Sequence, residues 1–159
     1  MIKSILLGGI ALAVLAAAPA SAQTTALRVN QIADVQGVKT ACGGASLDDQ
    51  QSMGAENYPV TLKLVGGYGQ WLGEENLTVT GNGQSISFAC EGPWVSMQLA
   101  PGRYKATAEV AGGSPKTVSF TVGQGSREVM IRFPELKSGR GQNYQELQQQ
   151  QPATPSSSM

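Results

Sequence analysis

The sequence predicts an all-β domain of antiparallel strands, packed as a sandwich or a barrel. Three observations predict it. From Tyr58 onward, apolar residues recur at every second position, the period of a strand with one buried face. The runs are short and punctuated by Gly, Pro and Asn, which is turn chemistry. Each run alternates apolar with polar, as half-wet antiparallel sheets do; parallel sheets of α/β folds read as continuous apolar runs.

Residues 1–22 are set apart from that domain. Lys3 precedes an apolar run, Pro19 breaks it, and Ala20, Ser21 and Ala22 follow. These are the three regions of a secretory signal peptide, with cleavage expected after Ala22. The run is shorter than the roughly 20 apolar residues of a membrane span. The mature chain is therefore expected in the periplasm or secreted, with no membrane span after cleavage.

Residues 23–57 read as a lead-in of low signal, where Leu27, Val29 and Ile32 could form one edge strand or stay irregular. Within it, Ser46 stands three residues before Asp49. That spacing predicts a capping box and a short helix, ahead of the first core strand. Asp48 and Asp49 suit the positive end of such a helix.

The sandwich proper is expected over residues 58–134. Val60, Leu62 and Leu64 share one face, with Thr61 and Lys63 on the wet side. Leu77 and Val79 continue the pattern, followed by Ile86, Phe88 and Cys90, then Val95, Met97 and Leu99. Tyr104, Ala106, Ala108 and Val110 alternate with Arg103, Lys105, Thr107 and Glu109. Val118, Phe120 and Val122 precede Val129, Ile131 and Phe133. Turns are expected at Gly81, Asn82 and Gly83, at 112–115 and at 123–125. Pro101 and Gly102 fit the central positions of a type II turn, making residues 95–104 a hairpin that Tyr104 leaves on its buried face. Residues 135–159 are polar and Gln-rich, and are expected to form a disordered tail.

Cys42 and Cys90 are the two cysteines. In an oxidising compartment such a pair forms a disulfide. They are too far apart for a C-x-x-C redox motif. The chain has no His, so neither Ser-His-Asp nor Cys-His catalysis is available, nor are the common zinc sites. No cofactor, metal or catalytic residue is expected. The acid pairs Asp48 with Asp49 and Glu74 with Glu75 read as solvated cap and turn residues. Eleven basic residues balance eleven acidic ones without clustering, which gives no footprint for nucleic acid.

Tyr68, Trp71 and Trp94 stand beside Gly or Pro. They either plug the sandwich ends or form a platform for sugar or peptide. Trp94 is out of phase with Val95, Met97 and Leu99.

The stretches "YPVTLKLV", "WLGEENLTVTGNG" and "GPWVSMQLAPGRYKATAEVAGGSPKTVSFTV" together resemble the bacterial exported proteins with a carboxypeptidase regulatory-like domain. The shared core is Leu99, Pro101, Gly102 and Tyr104, with Gly92, Pro93 and Trp94 upstream, and the resemblance covers residues 43–133. It implies a transthyretin-like (prealbumin-like) Greek-key sandwich of about seven strands. The family label concerns an accessory domain and carries no activity across. The function expected is a non-catalytic interaction module of the cell envelope, with an envelope protein or glycan as partner. The alternative is a carbohydrate- or peptide-binding protein using its surface aromatics.

Overall fold

A computed structural model describes residues 24–137. The expected signal peptide and the tail from residue 138 lie outside the described residues. Among the described residues the fold is mostly β, with ten strands in two five-stranded sheets. The first sheet runs β1 (Thr25–Leu27), β6 (Gln84–Cys90), β5 (Glu75–Gly81), β8 (Gly102–Glu109), β9 (Lys116–Val122). The second runs β10 (Arg127–Phe133), β4 (Val60–Gly66), β7 (Trp94–Met97), β3 (Val38–Gly43), β2 (Gln31–Val35). One core joins them. Leu77, Val79, Ile86, Phe88, Tyr104 and Phe120 of the first sheet meet Leu62, Leu64, Val95, Met97, Ile131 and Phe133 of the second.

The expected count of about seven strands is too low, because the lead-in is not a lead-in. Residues 25–43 supply three strands, and β3 is interior to its sheet. The β2–β3 hairpin turns on Gln36 and Gly37, with φ of 52° and 84°, the same two-residue geometry as Asn82 and Gly83 at 48° and 72°. Both are turns with two positive φ values. Asn-Gly announces such a turn in a sequence, whereas Gln-Gly does not. The sheets are also not purely antiparallel: β1 pairs with β6 and β10 with β4 in parallel. At the other end of the domain, Leu136 packs on the core, and its amide donates to the Phe133 carbonyl. The ordered chain therefore runs past residue 134.

The helix is present as expected. In α1 (Leu47–Ser52) the Asp49 amide donates to Ser46 Oγ at 3.1 Å and the Ser46 amide to Asp49 Oδ2 at 3.0 Å. It follows β3 rather than preceding the core strands. Both β3 and β4 pair antiparallel with β7, which lies between them. The segment carrying α1 and a one-turn 3-10 helix (Ala55–Asn57) is thus the crossover past β7. It brings Met53 and Tyr58 into a second small core with Ala41 and Trp94. For this reason β4 and β7 are buried on both faces. Thr61 and Lys63, expected to be wet, are buried, and the Thr61 hydroxyl bonds that of Ser96 at 2.8 Å.

Residues 95–104 are not a hairpin. β7 and β8 belong to different sheets, so Pro101 and Gly102 carry the chain from one to the other. Gly102 has φ of 156°, nearly extended and far from the roughly +80° of a type II turn. Its requirement is space: a Cβ there would meet Asn82 Oδ1 at 2.4 Å. Tyr104 secures the crossing. Its hydroxyl donates to the Ala100 carbonyl at 2.8 Å and accepts from Asn82 Nδ2 at 2.8 Å. Asn82 Nδ2 also donates to the Pro101 carbonyl at 3.1 Å. The Pro-Gly-x-Tyr pattern is therefore a clasp between a hairpin and a sheet-to-sheet link.

The Cys42–Cys90 disulfide is formed, with Cα atoms 5.8 Å apart. Cys42 is on β3 and Cys90 on β6, so the bond ties one sheet to the other. It closes a loop over 48 positions. Replacing both cysteines by Ala is expected to cost about 2–4 kcal/mol, through the entropy returned to the unfolded chain. Urea melts of the double variant check this; an unchanged midpoint would refute it.

Candidate functional site

The three aromatic residues singled out in the sequence fall into two classes. Trp94 is 8% exposed. Its out-of-phase position does point it away from the sandwich core, onto the outer face of the second sheet. That face is covered there by the crossover, because β3 and β4 must be joined past β7. Gly44, with φ of 81°, presses on the ring so closely that a Cβ would sit 2.3 Å from its Cγ. Trp94 is a packing residue, with one cost: its indole N–H is buried without a partner.

Trp71 and Tyr68 lie on the loop between β4 and β5. Trp71 is 39% and Tyr68 76% exposed. The loop is tight. The Gly66 amide donates to the Gln70 carbonyl at 2.9 Å, and Val65 bridges to Trp71. The Tyr68 amide donates to Gln70 Oε1 at 2.9 Å, while Gln70 Nε2 reaches the Leu136 carbonyl at 2.8 Å. Trp71 meets Trp94 edge to face, centroids 5.5 Å apart at 79°. Lys63 Nζ stands 3.6 Å from the Trp94 ring centroid and 2.5 Å from Glu128 Oε1. The ion pair adds little stability, since Glu128 is largely exposed. The stacked cation holds the buried indole against the sheet. The site is a braced loop with two exposed aromatics, of which Trp71 rests edge-on against the buried Trp94.

Two features were not read from the sequence. The first is Glu75, expected as a solvated turn residue. It begins β5 opposite Cys90, in phase with Leu77 and Val79, and is fully buried. Neither carboxyl oxygen has a hydrogen-bond partner. Burial pushes its pKa up to about 9, opposed only weakly by its own backbone amide; it is therefore a neutral acid at pH 7. Its alternation with Leu77 and Val79 was the available signal. Glu74, beside it, has φ of 60°.

The second is an open cleft of about 590 Å³ over β8 and β9, lined by Thr80, Arg103, Lys105, Ser119, Thr121 and Arg127, with Tyr104 and Phe120 beneath. Alternation placed Arg103 and Lys105 on a wet face. It could not show that β10 of the other sheet adds Arg127, whose Nη1 donates to the Thr121 carbonyl at 3.3 Å.

Among the described residues, no group of His, Cys, Asp or Glu could hold a metal ion, and no helix is long and apolar enough to cross a membrane. Comparison with protein-family models and with curated proteins finds no match for this chain.

Proposed function

We propose that the protein is an exported, non-catalytic interaction module of the bacterial cell envelope, a transthyretin-like Greek-key sandwich of the carboxypeptidase regulatory-like class. The observation that carries this reading is the loop between β4 and β5. It presents Tyr68 and Trp71 to solvent while Gln70, the Val65 bridge and Trp94 hold it still. Aromatics carried on a braced loop lose little backbone entropy on contact, which is how interaction surfaces anchor a partner. Among the described residues the one strongly shifted acid, Glu75, is sealed from solvent and cannot touch a substrate. The inter-sheet disulfide supports life in an oxidising compartment.

The partner is an envelope protein or a glycan. Crosslinking in intact cells, followed by identification of the captured species, tests the reading. Tyr68→Ala with Trp71→Ala is expected to abolish capture while lowering the melting temperature only slightly, since both rings are partly or largely exposed. Undiminished capture by that double variant would reject the loop as the contact. Trp71 also favours a second reading, a carbohydrate- or peptide-binding protein. Direct binding of a free oligosaccharide or peptide that depends on Trp71 would select it.

A further inference from the structure

The cleft over β8 and β9, completed by Arg127 of β10, shares no lining residue with the aromatic loop and stands independently of the function proposed for that loop. Its outer face is a ladder of hydroxyls and cations set by strand register. One row across the sheet is Thr80, Lys105, Ser119; the next is Arg103, Thr121. Further along the same face, the row through Thr78, Thr107 and Thr117 is closed on itself: Thr78 bonds Ser87 at 3.0 Å and Thr107 bonds Thr117 at 2.9 Å. The rows lining the cleft are open. Among the described residues, the side chains of Arg103, Lys105, Ser119 and Thr121 have no hydrogen bond or ion pair to protein. No acidic residue lines the cleft, although the chain as a whole carries equal numbers of acids and bases.

We infer that this cleft binds an acidic glycan, a sugar chain carrying carboxylate or phosphate groups. Three cations converging without a counter-charge call for an anionic ligand. Arginine supplies a planar donor fork that matches a carboxylate or phosphate, and lysine supplies a compact charge. The unpartnered Ser119 and Thr121 hydroxyls both donate and accept, as a sugar's own hydroxyls require. The aromatic floor does not compete for a peptide's apolar side chains, because Tyr104 and Phe120 are each only 4% exposed. The cleft's volume falls within the range of small-ligand sites, about 300–1,000 Å³, enough for a short stretch of such a chain.

The test uses the mature protein and four probes: an oligogalacturonate, a neutral malto-oligosaccharide of equal length, inorganic polyphosphate and a hexaglutamate peptide. Titration calorimetry at low and at physiological salt reads the affinities. The oligogalacturonate is expected to bind, weakening with salt, and the neutral chain not to bind. Arg103→Gln with Lys105→Gln should weaken the acidic sugar at least tenfold; both side chains are free, so melting should hold. Ser119→Ala with Thr121→Val should weaken the sugar several-fold and leave polyphosphate unchanged. Polyphosphate or hexaglutamate binding as tightly as the sugar would overturn the assignment in favour of bare charge or an acidic peptide. Loss of no affinity in either double variant would overturn the site. Tyr68→Ala with Trp71→Ala should leave this binding intact, which separates its failure from that of the aromatic loop.

Discussion

Unfolding stability is expected to fall steadily between pH 4.5 and about 9, and Glu75→Gln to remove most of that slope. The native pKa of Glu75 is raised to about 9 from 4.5. Across that window the folded protein keeps a proton that the unfolded chain has released. A state that holds the extra proton loses ground as pH rises. The stability is complete below the unfolded pKa and is lost as pH climbs toward the folded one. Each pH unit costs about 1.4 kcal/mol, giving about 3 kcal/mol by pH 7 and about 6 by pH 9. Other shifted groups fall outside this range. Asp49 and Glu135 are lowered by hydrogen bonds, chiefly from Asn30 and from the Glu135 backbone amide respectively, and act in acid. Tyr58 is raised above 10 by burial and acts only in strong base. Urea melts at intervals from pH 5 to 9 measure the slope. A parallel slope in wild type and Glu75→Gln would show that the carboxyl is not the source. Glu75→Leu should be the more stable variant at pH 8, since it also removes two unpartnered oxygens.

Trp94→Ala is expected to cost about 3–5 kcal/mol, the range for emptying a buried aromatic site. The void would open between β7 and the crossover, stripping contacts from Met53 and Tyr58. Trp71 would lose the ring it rests on and Lys63 the face it covers. Trp94→Phe should cost much less. It keeps a ring in place and deletes the indole N–H that has no partner. Thermal melts of the two variants give the comparison. If Trp94→Ala melted like wild type, the second small core would contribute nothing, and Trp94 would have to be accounted for as a contact surface.

Where pattern and structure agreed, the determinants were local. Ser46 and Asp49 made the capping box that their spacing announced. Alternation in Tyr104, Ala106 and Ala108 placed each side chain inward. The Cys42–Cys90 pairing followed from compartment chemistry and an even count. Where they parted, the determinant was distant. Pro101 and Gly102 look the same in a hairpin as in a sheet-to-sheet link, and only the partners of β7 and β8 decide between them. Thr61 and Lys63 alternate like exposed residues, but an element threaded past β7 covers that face. β1 and β2 are short edge strands that each bury one side chain fully, Leu27 and Val35, too few to show a period in the sequence. Of the candidate site, the aromatic identities were legible. The separation of Trp94 from Trp71 was not, since it depends on where the crossover lies. The basic cleft needed Arg127, a residue of the opposite sheet.

The two parallel pairs, β1 with β6 and β10 with β4, set the order in which the chain can assemble. Hairpins such as β5–β6 and β8–β9 can close early, since their partners are neighbours. The outermost strands at both ends of the domain must wait for partners from the opposite half of the chain, and the entropy of closing those loops is met before their contacts give anything back. The topology therefore predicts slow folding, in the millisecond-to-second range of non-local β proteins, which stopped-flow refolding from urea checks.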